Sequence, residues 1–370
     1  MSASMEKRKR IVLVTSLLGG GGSERVLVTM ARWWSEHGAD VVIVVLRSDP
    51  AIRDYDVPPG IEVRRLNLIG ERNAWWSPSQ LTRLVRLRRE LKELRPDVVI
   101  SFIDKLNVAV LLALTGTGIP VVATEHLAPW MNPLGAVWER LRRLTYRRAT
   151  AVVSPTKGIT EWLSARMRGN FVTLPYPAQI EIGDLSGVER RKVVMAVGRL
   201  VSQKGFDHLI DAFAQIAARV PEWAVEIAGE GPERAALTEQ IQSSKLEDRV
   251  RLLGQVQDVA ARLREAAIFV LPSRHEAFPM ALCEAMAAGC GVIATDCPTG
   301  PREIMDGKGG ELVEAGDRTQ LAGSLEKMMR NPARCAELGL EAAARAREFT
   351  AGRVMPKWAG LIDGQVLAPR

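Results

Sequence analysis

Two parallel α/β domains in tandem are predicted for this 370-residue chain by three observations. Short apolar runs read as buried strands, segments of helical period lie between them, and after a polar stretch at 178–192 the whole alternation starts again. The length exceeds the usual single-domain range, and an apolar content of 47% lets both domains bury a core, which excludes a disordered chain.

The strands of the first domain are "IVLVTS" (11–16), "DVVIVVLR" (40–47), "DVVISF" (97–102), "PVVAT" (120–124) and "TAVVSPT" (150–156). Between the first two, "SERVLVTMARWWSEHG" reads as a helix capped by Ser23 and closed on Gly38. The uncharged segment "LNVAVLLALTGTGIPVVAT" (106–124) is broken by Gly116, Gly118 and Pro120, and reads as helix, turn and strand, not as a membrane span. The start "MEKRKRIVLVTSLLGGGG" has the basic and apolar parts of a secretory signal but no small-residue cleavage site, so it reads as a first strand and the chain as cytoplasmic.

In the second domain the strands are "VVMAVGRL" (193–200), "AVEIAGEG" (224–231), "RVRLLGQV" (249–256), "AIFVLPS" (267–273) and "GVIATD" (291–296). The expected division is 1–180, 181–349 and a helical segment 350–370, whose docking, back toward the first domain or elsewhere, stays open. Such tandem domains usually hold their ligand in the cleft between them, at the carboxyl ends of the strands.

Residues 1–180 carry about 26 Lys and Arg against about 16 Asp and Glu, while the remainder is slightly acidic. The aromatics are not interleaved with the basic residues and no nucleic-acid module is recognisable, so nucleic acid is not the expected partner. Cys283, Cys290, Cys297 and Cys335 lack any zinc or disulfide spacing and read as packing thiols.

Four glycines in "TSLLGGGGSER" lie between strand and helix, where backbone N–H groups and the positive helix end can approach a phosphate. The dinucleotide fingerprint fails at Glu24, there is no P-loop lysine, and Asp49 is a weak match for a ribose-binding acid. A tight structural turn is the plain alternative.

The richest stretch is "SRHEAFPMALCEAMAAGCGVIATD" (273–296). Pro279 suits the first turn of a helix that stops at Gly289. Glu276 then lies in the loop before that helix and Glu284 a turn inside it, so the two carboxylates touch different parts of one elongated ligand. The helix's amino end, near Phe278 and Met280, forms a positive pole between them. Arg199 and Lys204, after the second domain's first strand, lie on the same sheet edge, and a fork and a point charge can neutralise a diphosphate without metal.

"VGRLVSQKGFDHLIDAF", "IAGEGPER", "LLGQV", "LPSRHEAFPMALCEAMAAG" and "VIATD" together resemble the nucleotide-sugar half of the retaining Glu-x7-Glu glycosyltransferases of the GT-B fold, and "GGGGSERV" and "TEH" resemble their first half. The resemblance implies two Rossmann-like domains facing each other across a cleft, and transfer of a sugar from a nucleoside diphosphate with retention and without metal or other cofactor. It implies that Arg199 and Lys204 hold the diphosphate, Glu284 the ribose hydroxyls and Glu276 the sugar hydroxyls. The helix start at Ala277, Phe278 and Met280 and the loop at Gly21 and Gly22 border the diphosphate, and Gly254 frames the base, usually uracil. His126, in "TEH", contacts the sugar; the alternative is a core histidine. Alanine at Glu276 or Lys204 is expected to abolish transfer with little loss of fold.

Two positions depart from the family pattern. Ala277 replaces a common glycine and could crowd the sugar pocket, and Gly291 replaces a common proline and is expected only to loosen a turn. An Asp-x-Asp at Asp54 and Asp56 lies in a polar, proline-rich connection and is assigned no metal.

Helices at 77–96, with Arg83, Arg86, Arg89 and Lys92, and at 132–149, with Trp138, Arg142, Arg143, Arg147 and Arg148, could lie on an anionic membrane surface or be ordinary solvated helices. "GGGGSERV", "VVISF", "TEH" and "GPREI" look most like bacterial enzymes extending polyprenyl-diphosphate-linked oligosaccharides. The expected enzyme is peripheral at the inner face of the membrane and moves a hexose or N-acetylhexosamine from a UDP-sugar to a lipid-linked saccharide. A soluble small-molecule acceptor and a UDP-sugar epimerase of the same fold are the alternatives.

Overall fold

The computed structural model describes residues 8–68, 79–185 and 187–364. Lys7 of the basic start and the first two positions of the helix predicted at 77–96 lie outside the described residues. Two compact units result: the chain up to Gln179 with the last helix, and Ile180–Thr350.

The first unit runs β1 (Arg10–Thr15), α1 (Gly22–Glu36), β2 (Asp40–Val45), β3 (Glu62–Arg65), α2 (Ser79–Glu93), β4 (Val98–Phe102), α3 (Asp104–Ala113), β5 (Val121–Thr124), α4 (Ala136–Tyr146), β6 (Ala151–Ser154), α5 (Lys157–Ser164) and β7 (Phe171–Thr173). Its sheet has the order β3-β2-β1-β4-β5-β6-β7, with every pair parallel. Valine and isoleucine fill β1, β2 and β4, which are buried nearly throughout, as a parallel sheet covered on both faces requires.

The second unit runs β8 (Arg191–Val197), α6 (Phe206–Ile216), β9 (Ala224–Ala228), α7 (Arg234–Ser243), β10 (Val250–Gly254), α8 (Val259–Glu265), β11 (Ala266–Leu271), α9 (Met280–Ala287), β12 (Gly291–Asp296), α10 (Pro301–Met305), β13 (Gly310–Glu314), α11 (Arg318–Arg330) and α12 (Pro332–Ala346). Its parallel sheet has the order β10-β9-β8-β11-β12-β13. In each sheet the order reverses beside the first strand, between β1 and β4 and between β8 and β11. Loops leaving the carboxyl ends of such a pair diverge and open a crevice, which is where doubly wound sheets bind ligands.

The last helix, α13 (Ala351–Ile362), belongs to the first unit. Trp358 is fully buried there and donates from Nε1 to the Pro175 carbonyl at 3.0 Å.

Local details differ from the sequence reading. α1 is capped by Gly21, with no side-chain cap bond, and Ser23 instead donates to Glu24 Oε2 at 2.9 Å, because the chain enters the helix earlier than the serine. Pro279 is the cap of α9, one residue before its first turn. Gly291 is not a loosened turn. It opens β12, and a side chain there would meet Cys335 Sγ at 2.7 Å and Met328 Sδ at 3.0 Å, so packing demands glycine.

The segment 106–124 divides into α3, a turn with Gly116 and Gly118 at φ of 74° and 73°, and β5. Among the described residues no helix is long and apolar enough to cross a membrane. All four cysteines are unpaired and buried.

Candidate active site

At the switch point of the second unit two loops meet. After β8 the chain passes Arg199 and makes a three-residue 3-10 turn, Ser202–Lys204, before Gly205 turns it into α6 with φ of 64°. A side chain at Gly205 would run into the Pro272 carbonyl, so glycine is needed there for the turn and for the close approach. Gln203 ties the second loop to this turn: its carbonyl accepts from Arg274 N at 2.8 Å and its Nε2 donates to the His275 carbonyl at 3.0 Å.

Lys204 Nζ and Glu276 Oε1 are 2.6 Å apart, and Ser273 Oγ donates to the same oxygen at 2.7 Å. Glu276 is buried, with a side chain 7% exposed, and Lys204 18%. The expectation that either residue could be removed with little loss of fold is therefore corrected: each is the other's counter-charge. Arg199 is exposed, with no side-chain hydrogen bond or ion pair among the described residues.

Ala277 is buried without a left-handed backbone, so its departure from glycine causes no strain. The ring of Phe278 packs edge-on against Phe349, centroids 5.7 Å apart, and Met280 opens α9. Glu284 is half-buried one turn on. Gly254 ends β10 at φ of 73°, and its carbonyl accepts from Gly229 N at 2.8 Å, which holds that loop against the end of β9.

In the first unit His126 follows β5. Its ring stacks between Phe102, centroids 5.2 Å apart, and Tyr176, 4.3 Å. Nε2 lies 2.9 Å from Thr124 Oγ1, whose own proton goes to the Ser101 carbonyl at 2.9 Å. The threonine oxygen can then only accept, so Nε2 carries the imidazole proton and Nδ1 is an acceptor. Burial pushes the imidazole down to about 3, and it is neutral at physiological pH although part of the residue stays accessible. Unfolded histidine protonates near 6.5 while the native ring does not, so stability falls as pH drops from about 6.5 toward 3, by up to about 1.4 kcal/mol per pH unit. Thermal melts between pH 7 and 5 should show that slope, and His126→Gln should flatten it.

Gly21 caps α1 and Gly22 opens it, and a side chain at Gly21 would collide with the buried Glu24 carboxyl group, so glycine is needed there. Arg142 departs from its expected place. Only 1% exposed, it faces the equally buried Glu125 at 2.9 Å, so it cannot contribute to a membrane-facing surface. Tyr146 donates to the same Glu125 oxygen, and the Tyr176 hydroxyl to the Glu125 carbonyl at 2.5 Å. Asp49 is held by Arg47 at 2.6 Å and Asp54 by Arg65. Among the described residues no three His, Cys, Asp or Glu side chains gather as metal ligands.

Two family models match side by side: residues 180–346 match "Glycosyl transferases group 1", and residues 21–177 match "Glycosyl transferase 4-like domain". The chain belongs to the group 1 glycosyltransferases. Over 361 residues, 95% of this glycosyltransferase and 98% of the relative, it is 28% identical to a Campylobacter jejuni protein named GalNAc-alpha-(1->4)-GalNAc-alpha-(1->3)-diNAcBac-PP-undecaprenol alpha-1,4-N-acetyl-D-galactosaminyltransferase. It is 27% identical to the amylovoran biosynthesis glycosyltransferase AmsD of Erwinia amylovora, over 81% of this chain and 84% of that one. Anabaena Alr3699/HepE, solved in complex with UDP, superposes with a TM-score of 0.80 at 21% identity, over 96% of this chain and 100% of that one. The fold is GT-B, with two Rossmann-like domains.

Sequence reasoning on this glycosyltransferase missed Ser273, Arg274, Asp207 and Glu125. Ser273 and Arg274 stand inside the motif that was read, and the signal was their place three and two residues before Glu276. Glu125 stands in "TEH" itself, and the buried partners of its carboxyl group, Arg142 and Tyr146, come from α4.

Proposed function

We propose that this glycosyltransferase takes a hexose or N-acetylhexosamine from a UDP-sugar and joins it, with retention and without metal, to a saccharide carried on a polyprenyl diphosphate. The reading rests on the Lys204–Glu276 pair at the switch point of the second unit and on Arg199, which follows β8 and has no partner among the described residues.

Ligand-free, the Lys204 ammonium is held by one carboxylate. A donor diphosphate carries more negative charge than that carboxylate, so Lys204 turns to it and Glu276, released, accepts hydrogen bonds from hydroxyls of the transferred sugar. Arg199 closes on the phosphate oxygens as a fork, and the first-turn N–H groups of α9 add a positive pole. Charge that builds on the departing diphosphate is thus met by groups already in place. Removing one such donor costs about a hundredfold in rate or more. Glu284 takes the ribose hydroxyls and the backbone at Gly254 frames the base, while in the first unit His126 offers Nδ1 to a sugar hydroxyl. The leaving phosphate itself helps remove the acceptor proton on the same face.

The full-length match to a relative named for an undecaprenol-linked acceptor supports the lipid-linked class. The outer faces of α2 and α4 support a membrane partner: Leu81 and Val85 are 70% and 59% exposed, Val137 and Leu144 49% and 51%, among exposed Arg86, Arg89, Arg140, Arg143 and Arg147. Such a mixed surface suits an anionic bilayer from the cytoplasmic side.

Calorimetry with UDP and a panel of UDP-sugars in EDTA identifies the donor, and the binder is then assayed with a polyprenyl-diphosphate-linked saccharide. Turnover in EDTA with the donor's anomeric configuration kept in the product is the expected result. Inversion, a strict need for manganese, or no binding of any UDP-sugar overturns the reading. Vesicles with anionic lipid should co-float the enzyme more than neutral ones, and Arg143→Glu with Leu144→Asp should weaken that association.

A further inference from the structure

We infer that Arg274 is a positioning residue for the donor diphosphate, whose guanidinium, clamped on Asp207, fixes the turn that presents Lys204. The inference rests on the donor site proposed above and names a residue that acts on it indirectly.

A three-residue turn closed by a left-handed glycine does not by itself fix the place from which a four-carbon lysine side chain starts. Arg274 supplies the missing constraints from the neighbouring loop. Its Nη1 donates to the Ser202 carbonyl at 2.6 Å and to Asp207 Oδ1 at 2.9 Å. Nη2 donates to Asp207 Oδ2 at 2.6 Å and to His208 Nε2 at 2.9 Å, and the main-chain N donates to the Gln203 carbonyl at 2.8 Å. One residue therefore grips 202, 203, 207 and 208, on both sides of Lys204, while two residues further along its own loop carries Glu276.

The chemistry of the clamp excludes a direct phosphate role for Arg274, because both terminal nitrogens are engaged by the protein. Arg199, by contrast, has no such partners among the described residues. Burial alone would raise the Asp207 carboxyl, but the Arg274 hydrogen bonds and the guanidinium charge hold it below its ordinary range, so the pair stays charged. His208, pushed down by burial, is neutral and accepts from Arg274. Side chains 34% and 36% exposed are worth little as a stabilising ion pair. What they supply is geometry: two parallel bonds to one carboxylate and a third to a carbonyl, which a lysine's single charge centre cannot reproduce.

UDP is the probe, titrated calorimetrically into the full chain. Arg274→Lys should weaken UDP by about tenfold with an unchanged melting temperature, because a misplaced donor loses much of its effect. Asp207→Asn should do the same, and the two together should cost no more than either. The deciding comparison is with Lys204→Ala: if Arg274 works through Lys204, adding Arg274→Lys to Lys204→Ala weakens UDP no further. Wild-type affinity in Arg274→Lys, or losses that add to that of Lys204→Ala, overturns the inference while leaving the donor site intact. Failure of the unaltered enzyme to bind UDP overturns the donor site and the clamp with it.

Discussion

Replacing Lys204 with alanine should abolish sugar transfer and lower the melting temperature, and adding Glu276→Gln should restore the melting temperature without restoring transfer. The two effects have different origins. Transfer fails because a cation is lost from the leaving group, worth a hundredfold to a thousandfold in rate when one fixed donor is removed. Stability falls because Glu276, 7% exposed, loses its counter-charge and among the described residues retains only the Ser273 hydroxyl at 2.7 Å. An orphaned buried ion costs about 3 kcal/mol, and the neutral amide removes that penalty while keeping the shape. Thermal denaturation and a transfer assay on the two single variants and the double variant check both halves. Near-normal transfer by Lys204→Ala, or a double variant less stable than Lys204→Ala, contradicts the pairing.

Arg142→Met should be the most destabilising change on α4, by about 3–5 kcal/mol, because it takes the counter-charge from the Glu125 carboxyl in the interior of the first unit. Burial pushes the Glu125 carboxyl up even with Arg142 beside it, so the glutamate depends on that cation to stay ionised. Glu125→Gln in the same chain should recover most of the loss. Arg143→Ala and Arg147→Ala, both at exposed positions, should change stability by less than about 0.5 kcal/mol. Denaturant titration separates these outcomes, and equal losses at Arg142 and Arg143 would refute the buried pair.

Both sheets were readable in the sequence wherever a strand is covered on both faces, since an uninterrupted Val/Ile run has little else it can be. The three strands that escaped are β3, β7 and β13, and all three are edges. β3 reads "EVRR" and is half-exposed, and β7 is three residues long, so neither carries a buried run to betray it. The loops holding Arg199, Lys204 and Glu276 were legible because each follows an obvious strand. That Lys204 and Glu276 neutralise each other was not, because side-chain pairing across 72 residues leaves no periodic trace. Arg142 shows a different failure. Period places it on the inner stripe of α4 with Trp138 and Tyr146, but a charged residue among arginines suggests the solvent until Glu125 is seen opposite.

The stack of His126, Tyr176 and Trp358 has a consequence for biosynthesis. Tyr176 lies 6.0 Å from Trp358, which comes from the last helix of the chain. Domains ordinarily fold in turn as they leave the ribosome, the amino-terminal one first. Here the amino-terminal unit lacks its closing aromatic until the final segment is synthesised, so it must wait, unfinished, through the making of all 171 residues of Ile180–Thr350.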